Sequence, residues 1–259
     1  MPTSVRAALT AATVMCAFLC AACGDPPEKE MHQAQGAIAA ARAAGADEYA
    51  AEEMNAAVDA LRRAEAAAAE RDRQPIGFQW AARCLGEVLG PDTIVVNEYP
   101  LDLRHAPPAG PGSYFGAPHS GGLGWGLGTA LGIKLGAPGA TVIATVGDGA
   151  YIFGAPTAAH YAARLHGLPI LTVIFNNGAW EAVKTAALQV HPDGWAASTQ
   201  SFPLSGLAPT PRYEEIVRAF DGHGERVETP DALPGALRRA LKVVREERRQ
   251  AVINVVCQR

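Results

Sequence analysis

The sequence lacks the features by which several large classes of protein are recognised. Its 22 Lys and Arg residues are outnumbered by 26 Asp and Glu residues, so the net charge is −4, and we expect no basic surface for nucleic acid. Of the five cysteines, three fall within the first 23 residues, which leaves Cys84 and Cys257, too few for a disulfide framework. The patterns of the P-loop, the dinucleotide-binding turn and the serine nucleophile elbow are all absent. The composition is that of a globular protein, and 259 residues are enough for one large domain, or for a medium-sized domain and an appendage.

The first 23 residues have the composition of an export signal. They carry one charged side chain, Arg6, followed by an apolar stretch that ends in Cys20-Ala21-Ala22-Cys23. This ending resembles a bacterial lipobox, although Cys20 stands where that box usually has Leu. We therefore expect residues 1–23 to direct export, or to anchor the chain to a membrane through a lipid on Cys23. Inside an apolar segment, the C-x-x-C spacing is not expected to form a redox or zinc site.

Residues 28–73 form a second block, rich in Ala and free of Pro. High helix propensity and a weak break at Gly45-Ala46-Asp47 predict two helices packed as a hairpin. Few large side chains are present, so the stripe that the pair could bury is thin. The block resembles the Ala-rich helical regions that follow the lipobox in some bacterial lipoproteins. We expect a spacer or a partner-binding hairpin without chemistry.

From residue 76 to residue 259 the pattern changes to strands that alternate with helices. Such alternation predicts an α/β fold, an open and mostly parallel sheet with helices on both faces. The helix that follows Thr229-Pro230-Asp231 and runs to 247 has a clear start signal. The other predicted helices cover 77–89, 155–166 and 213–220, and the predicted strands cover 93–99, 140–146, 169–175, 226–228 and 251–256.

Polar and glycine residues follow several of these strands. In open parallel sheets, ligands bind beyond the carboxyl ends of the strands, and these residues should therefore meet in one crevice. A carboxylate beside an amide suggests a site for a hard cation. The residues expected there are Glu98, the Gly121-Gly122 turn, Asp148, Asn176 and Asn177.

Three ordered motifs carry a resemblance to a known family. Gly147-Asp148-Gly149, 26 further residues (150–175) and Asn176-Asn177 resemble the motif that binds thiamine diphosphate. Gly121-Gly122-Leu123-Gly124 is similar to the turn of acetolactate synthases and benzoylformate decarboxylases, and Asn97-Glu98 resembles the pair that opens the same domain. The resemblance implies that residues 76–259 are the diphosphate-binding domain of a thiamine diphosphate-dependent enzyme.

The resemblance also implies a magnesium site. Asp148 would supply a carboxylate oxygen, Asn177 an amide oxygen and Ala179 a backbone carbonyl, and phosphate oxygens and water would complete the shell. Gly149 and Ala150 would offer N–H groups to the diphosphate. The full set of implied cofactor contacts is Gly121, Gly122, Leu123, Gly147, Asp148, Gly149, Ala150 and Asn177.

Other implied roles concern the reacting end of the cofactor. Leu123 would wedge beneath it, with an ordinary core position as the alternative, and the Gly121 carbonyl would accept a hydrogen bond from the aminopyrimidine. His119 would lie near the substrate as a candidate catalytic residue, or else in a solvated loop, and Trp180 is expected to pack in the pocket. The remaining histidines considered are expected at the surface, namely His160, His166, His191 and His223.

The site implied by the resemblance is incomplete, because the catalytic Glu of the family comes from a separate pyrimidine-binding domain that no stretch of this sequence resembles. We expect a homo- or hetero-oligomer with such a domain or subunit, acting on a small 2-oxo acid by decarboxylation or carboligation, and a chain that is inactive alone. The alternatives are a chimeric or truncated fragment, a secreted binding protein, and a lipid-anchored, non-catalytic envelope protein. The N-terminus indicates export, whereas the enzyme domain indicates the cytoplasm.

Overall fold

The computed structural model describes residues 28–98, 101–116 and 122–258. The signal-like segment, residues 1–23, lies outside the described residues. No helix in the described ranges is both long and apolar enough to cross a bilayer.

The Ala-rich block forms helices α1 (Glu28–Ala43), α2 (Ala46–Tyr49) and α3 (Ala51–Ala69). The break between α1 and α2 falls at Gly45, whose φ of +87° is readily adopted only by glycine. Gln35 Nε2 donates to Glu65 Oε1 (2.7 Å), which joins α1 to α3. The small core between these helices consists of Ala34, Ile38, Ala41, Ala46, Ala50, Met54, Ala57 and Leu61.

Six parallel strands follow, in the spatial order β2-β1-β3-β4-β6-β5. This confirms the predicted open sheet, and all of its described pairings are parallel. The central strands are almost wholly buried, as expected for a sheet covered on both faces. The strands are β1 (Thr93–Asn97), β2 (Tyr114–Phe115), β3 (Thr141–Gly147), β4 (Leu171–Asn176), β5 (His223–Val227) and β6 (Ala251–Val256).

Helices cover both faces of the sheet. Their bounds are α4 (Phe78–Gly86), α5 (Trp125–Gly136), α6 (Asp148–Phe153), α7 (Pro156–His166), α8 (Glu181–Val190), α9 (Trp195–Thr199), α10 (Tyr213–Arg218) and α11 (Ala232–Arg245). One core contains residues of α4 and α11, and the other contains residues of α5, α6 and α10. Both faces of the sheet are therefore buried against helices, and the carboxyl ends of the strands lie together at one edge of the sheet.

Helix α5 was not predicted, because its segment has glycine at positions 126, 128, 132 and 136. Each glycine inside a helix costs roughly 1 kcal/mol relative to alanine. Packing against the sheet offsets that cost, since Leu127 and Ala130 are buried in the core. Helices α8 and α9 were also not predicted, and neither of them buries a residue.

Candidate functional site

A cleft of about 230 Å³ opens at the carboxyl ends of β1, β3 and β4. Gly147, the last residue of β3, pairs with Phe175 of β4, so the residues that follow these strands start side by side. Of the residues expected in the crevice, Glu98, Gly122, Asp148 and Asn177 line this cleft. It is also lined by Leu123, Gly147, Gly149, Ala150, Ala179 and Trp180, among others.

Asp148 is the most buried charged group of the cleft, with 2% of its surface exposed. The Gly178 N–H donates to Asp148 Oδ2 (2.9 Å). Burial raises the pKa of Asp148 to about 6, and backbone N–H groups, foremost that of Gly149, oppose the rise. No Lys or Arg of the described residues forms an ion pair with this carboxylate. Among the described residues its negative charge is therefore stabilised by backbone N–H groups and not by a cationic side chain, an arrangement that a bound cation would relieve.

Asn177 and Ala179 lie in a short loop that backbone hydrogen bonds hold in place. The Ala179 N–H donates to Asn177 Oδ1 (3.1 Å). The Trp180 N–H donates to the Ser205 carbonyl and the Leu207 N–H donates to the Gly178 carbonyl, both at 2.8 Å. The loop is thus fixed beside Asp148.

Glu98 has a role that the sequence did not reveal. Its carboxylate accepts hydrogen bonds from the N–H groups of Gly124 and, at 2.7 Å, Gly126, at the start of α5. These are among the N–H groups that a helix start leaves without a partner. A Cβ on Gly126 would lie 2.7 Å from Glu98 Oε2, so a larger residue there would displace the carboxylate. No local signal could have shown this cap, because the partners are 26 and 28 residues apart.

Two apolar side chains shape the cleft. Leu123 is 47% exposed there, so it is not an ordinary core residue. Trp180 packs against the backbone at the start of α6, where a Cβ on Gly149 would lie 2.5 Å from Trp180 Cε3. Trp180 is therefore packed in the wall of the pocket, as predicted. His119 and Gly121 lie outside the described residues, and their roles stay predictions.

The prediction that His160 lies at the surface is wrong. His160 is 1% exposed, and its Nε2 lies 2.8 Å from the Tyr151 hydroxyl while its Nδ1 lies 2.7 Å from Gln250 Oε1. Burial lowers the pKa of His160. Since Gln250 Oε1 only accepts, the neutral ring carries its proton on Nδ1 and accepts from Tyr151. His166 and His191 are exposed, as expected.

The oxygen atoms that line the cleft suit a hard cation that is also bound by the phosphate groups of a second ligand. A buried carboxylate, an amide oxygen and a backbone carbonyl are oxygen donors of the kind that Mg²⁺ accepts. No group of three or more His, Cys, Asp or Glu that could hold a metal occurs among the described residues. The oxygen donors among the described residues make up part of a coordination shell, which phosphate oxygens could complete.

A family model described as "Thiamine pyrophosphate enzyme, C-terminal TPP binding domain" matches residues 101–255. The chain belongs to this family. A second model, a domain of unknown function (DUF4398), matches residues 29–80. The lipobox-like segment, residues 1–23, lies outside both matches and stays a prediction, and so do the domain bounds.

Relatives of this thiamine pyrophosphate family member include synthases and decarboxylases. The chain is 38% identical over 130 residues to a probable acetolactate synthase of Mycobacterium bovis, covering 50% of this chain and 22% of that one. It is 33% identical over 133 residues to a benzoylformate decarboxylase of Pseudomonas aeruginosa, covering 51% and 23%. A solved 4-hydroxybenzoylformate decarboxylase of Rhodococcus jostii superposes with a TM-score of 0.58 at 25% identity, covering 72% and 33%. The chain thus spans about a quarter of its curated relatives and a third of that structure.

Proposed function

We propose that residues 76–259 bind thiamine diphosphate through Mg²⁺, as the diphosphate-binding part of a 2-oxo acid decarboxylase or carboligase. The observation that carries the proposal is the buried Asp148 carboxylate, which has no cationic partner among the described residues and lies beside Asn177 in the same cleft. In a member of the thiamine pyrophosphate family, a divalent cation and a diphosphate are the ligands that this arrangement suits best.

The proposed contacts are those that the resemblance implies, and all of them that belong to the described residues line the cleft. Asp148, Asn177 and the Ala179 carbonyl would hold Mg²⁺, and the N–H groups of Gly149 and Ala150 would face the diphosphate at the start of α6. The same cofactor set includes Gly121, Gly122, Leu123 and Gly147. When bound, thiamine diphosphate supplies a thiazolium carbanion that adds to 2-oxo acids.

Leu123 supports the cofactor site by its position. It projects into the cleft with about half of its surface exposed, where it would press on the middle of the bound cofactor and keep its rings bent. Glu98 supports the same edge indirectly, because it caps the helix that begins two residues after Leu123.

The proposal includes a partner that completes the site. Leu123 and Val183, both lining the cleft, are 47% and 60% exposed, so its apolar rim is open to a covering surface. A pyrimidine-binding domain or subunit, in a homo- or hetero-oligomer, would cover the rim. It would also contribute the catalytic glutamate of the family, since no stretch of this sequence resembles the domain that carries it. A 2-oxo acid would then react between the two parts.

Cofactor binding is tested by thermal denaturation with and without thiamine diphosphate and MgCl₂. At a ligand concentration about 100 times the dissociation constant, binding stabilises a protein by about 2.7 kcal/mol, which for a chain of this size is roughly 5–10 °C. Asp148→Asn keeps the shape of the side chain and removes the charged ligand, so the shift should vanish in that variant. An unchanged melting temperature of the wild-type chain at saturation would overturn the proposal and favour a passive scaffold.

The partner is tested by activity. The purified chain alone should release no CO₂ from pyruvate or benzoylformate, whereas addition of a pyrimidine-binding domain from a related decarboxylase should support turnover if the surfaces match. Robust decarboxylation by the chain alone would show that its catalytic groups are complete.

A further inference from the structure

A buried chain of hydrogen bonds connects α10 and β6 to the loop beside Asp148. Asn254 Nδ2 donates to Glu214 Oε2 (2.8 Å), and Asn176 Nδ2 donates to Asn254 Oδ1 (3.0 Å). The Gly178 N–H then donates to Asn176 Oδ1 (3.2 Å). All three side chains are at most 3% exposed, so water does not compete for these bonds.

The direction of this chain is set at its two ends. An amide side chain can turn by 180° and exchange its donor and acceptor, whereas the Gly178 N–H only donates and a carboxylate that is paired with a cation only accepts. Glu214 forms an ion pair with Arg212 (Oε1 to Nε, 3.3 Å) and therefore obliges Asn254 to turn its NH₂ toward it and its oxygen toward Asn176. Asn176 must in turn present its NH₂ to Asn254 and its oxygen to the Gly178 N–H.

The other end of the chain reaches the proposed metal ligands. The Gly178 N–H that donates to Asn176 also donates to Asp148 Oδ2 (2.9 Å). Gly178 lies between Asn177 and Ala179, which are both proposed ligands. If Asn176 turned its NH₂ toward Gly178, two donors would face each other, and the loop would have to move away from Asp148.

We propose that Glu214 and Asn254 are positioning residues, which hold the Asn177–Ala179 loop and the Asp148 carboxylate in register for a divalent cation. This inference rests on the proposed function. Neither residue belongs to the paired-asparagine motif or to the lining of the cleft, and both act only through Asn176 and Gly178.

Two variants separate the orientation of the amides from their presence. Glu214→Gln keeps the size of the side chain, but it adds a donor and removes the ion pair with Arg212, so Asn254 is no longer held in one orientation and competes with Gly178 for the orientation of Asn176. Asn254→Ala interrupts the chain, because it removes the hydrogen bonds that Asn254 makes to Glu214 and to Asn176. In each variant the dissociation constant of Mg²⁺, measured by calorimetry at saturating thiamine diphosphate, should rise on the order of tenfold, which corresponds to the loss of one hydrogen bond to a charged or buried group.

Gln250→Ala is the matched control. Gln250 is also a buried amide, it precedes β6, and it lies four residues from Asn254, or about 13 Å along the strand. Its loss removes the bonds to His160, so the melting temperature should fall. The Mg²⁺ dissociation constant, measured well below that temperature, should stay at the wild-type value.

A second readout needs no cofactor. Hydrogen exchange of the Gly178 amide, followed by NMR in the unliganded protein, should be faster in Glu214→Gln than in the wild type and unchanged in Gln250→Ala. If exchange of the Gly178 amide is faster in Glu214→Gln but the wild-type protein binds no thiamine diphosphate, the proposed function is refuted while the role of Glu214 in holding the loop is supported. Lower melting temperatures with unchanged Mg²⁺ affinity and unchanged Gly178 exchange would overturn the positioning role.

Discussion

Asp148→Asn should stabilise the unliganded protein although it abolishes cofactor binding. The carboxylate is buried and has no cationic partner among the described residues, so folding places a negative charge in a poor environment for it. Asparagine has the same shape, can accept the same hydrogen bond from Gly178 through its oxygen, and carries no charge. A residue that weakens the fold while it serves a ligand is expected at a functional site.

The size of the effect follows from the pKa. The difference between the ordinary carboxyl pKa of 3.8 and the value of about 6 in the folded protein corresponds to about 3 kcal/mol of lost stability when Asp148 is ionised. Burial of the amide still has a cost, and we therefore expect a net gain of roughly 1–3 kcal/mol for Asp148→Asn. For a chain of this size the gain appears as a rise in melting temperature of roughly 2–12 °C at pH 7.5.

The gain should depend on pH with a definite sign. As the pH falls from about 6 toward 3.8, folded Asp148 takes up a proton that the unfolded chain does not bind, so the wild type gains stability relative to the variant. The difference between the two proteins should thus be greatest above pH 6 and should vanish near pH 4. Other carboxyl groups titrate in the same window and cancel when the two proteins are compared.

The assay is thermal denaturation of both proteins from pH 4 to pH 8, after dialysis against EDTA to remove metal. Asp193→Asn removes the same charge from an exposed position and should leave the melting temperature nearly unchanged. A less stable Asp148→Asn variant at pH 7.5 would refute the reasoning, because it would mean that the hydrogen bonds from backbone N–H groups to the carboxylate outweigh the cost of its burial.

Three further substitutions test the support of the site. Gly126→Ala should displace Glu98 from the start of α5, since the new Cβ would lie 2.7 Å from its carboxylate. Alanine also raises helix propensity, so the comparison is with Gly128→Ala, whose Cβ meets open space in the same helix; the free energy of unfolding in urea should be about 1–2 kcal/mol lower for Gly126→Ala, and equal stability of the two variants would contradict the cap. Tyr213→Phe removes a buried hydroxyl without a hydrogen-bond partner in the described residues, so the melting temperature should rise or hold, and a fall would reveal a partner. Burial lowers the pKa of His160, so below about pH 6.5 the unfolded state binds one more proton than the folded state, and stability is lost. In His160→Gln the melting temperature should therefore fall less steeply as the pH drops below 6.5, and an equally steep fall would assign the pH dependence to other groups.

The sheet and the cleft could be predicted because their signals are local. Strands β3 and β4 are mostly apolar and rich in β-branched residues, each is followed at once by a polar residue, and parallel pairing brings those residues together. The position of Asp148 beside Asn177 then needs only the order of the strands. Hydrophobic runs, strand ends and turn residues are all readable within a few positions of the sequence.

The missed features depend on partners that are distant in sequence. Glu98 caps a helix that begins about 26 residues further along the chain, and the buried His160 is hydrogen-bonded to Gln250, which is 90 residues away. The bond between Asn176 and Asn254 spans 78 residues. A polar side chain in a helix or strand is ordinarily a sign of the surface, so only the folded structure shows that these residues are buried and paired.

Several unfavourable features of the fold lie together at one edge of the sheet. A buried carboxylate without a cationic partner among the described residues, a glycine-rich helix start and a half-exposed leucine all meet at the cleft around Asp148. In the Ala-rich hairpin, by contrast, the buried residues among those described are all apolar. Local rules of good folding are broken where function requires it, so we expect the chemistry of this chain in the α/β domain. This expectation disfavours the alternative in which the hairpin acts and the α/β domain is a passive scaffold.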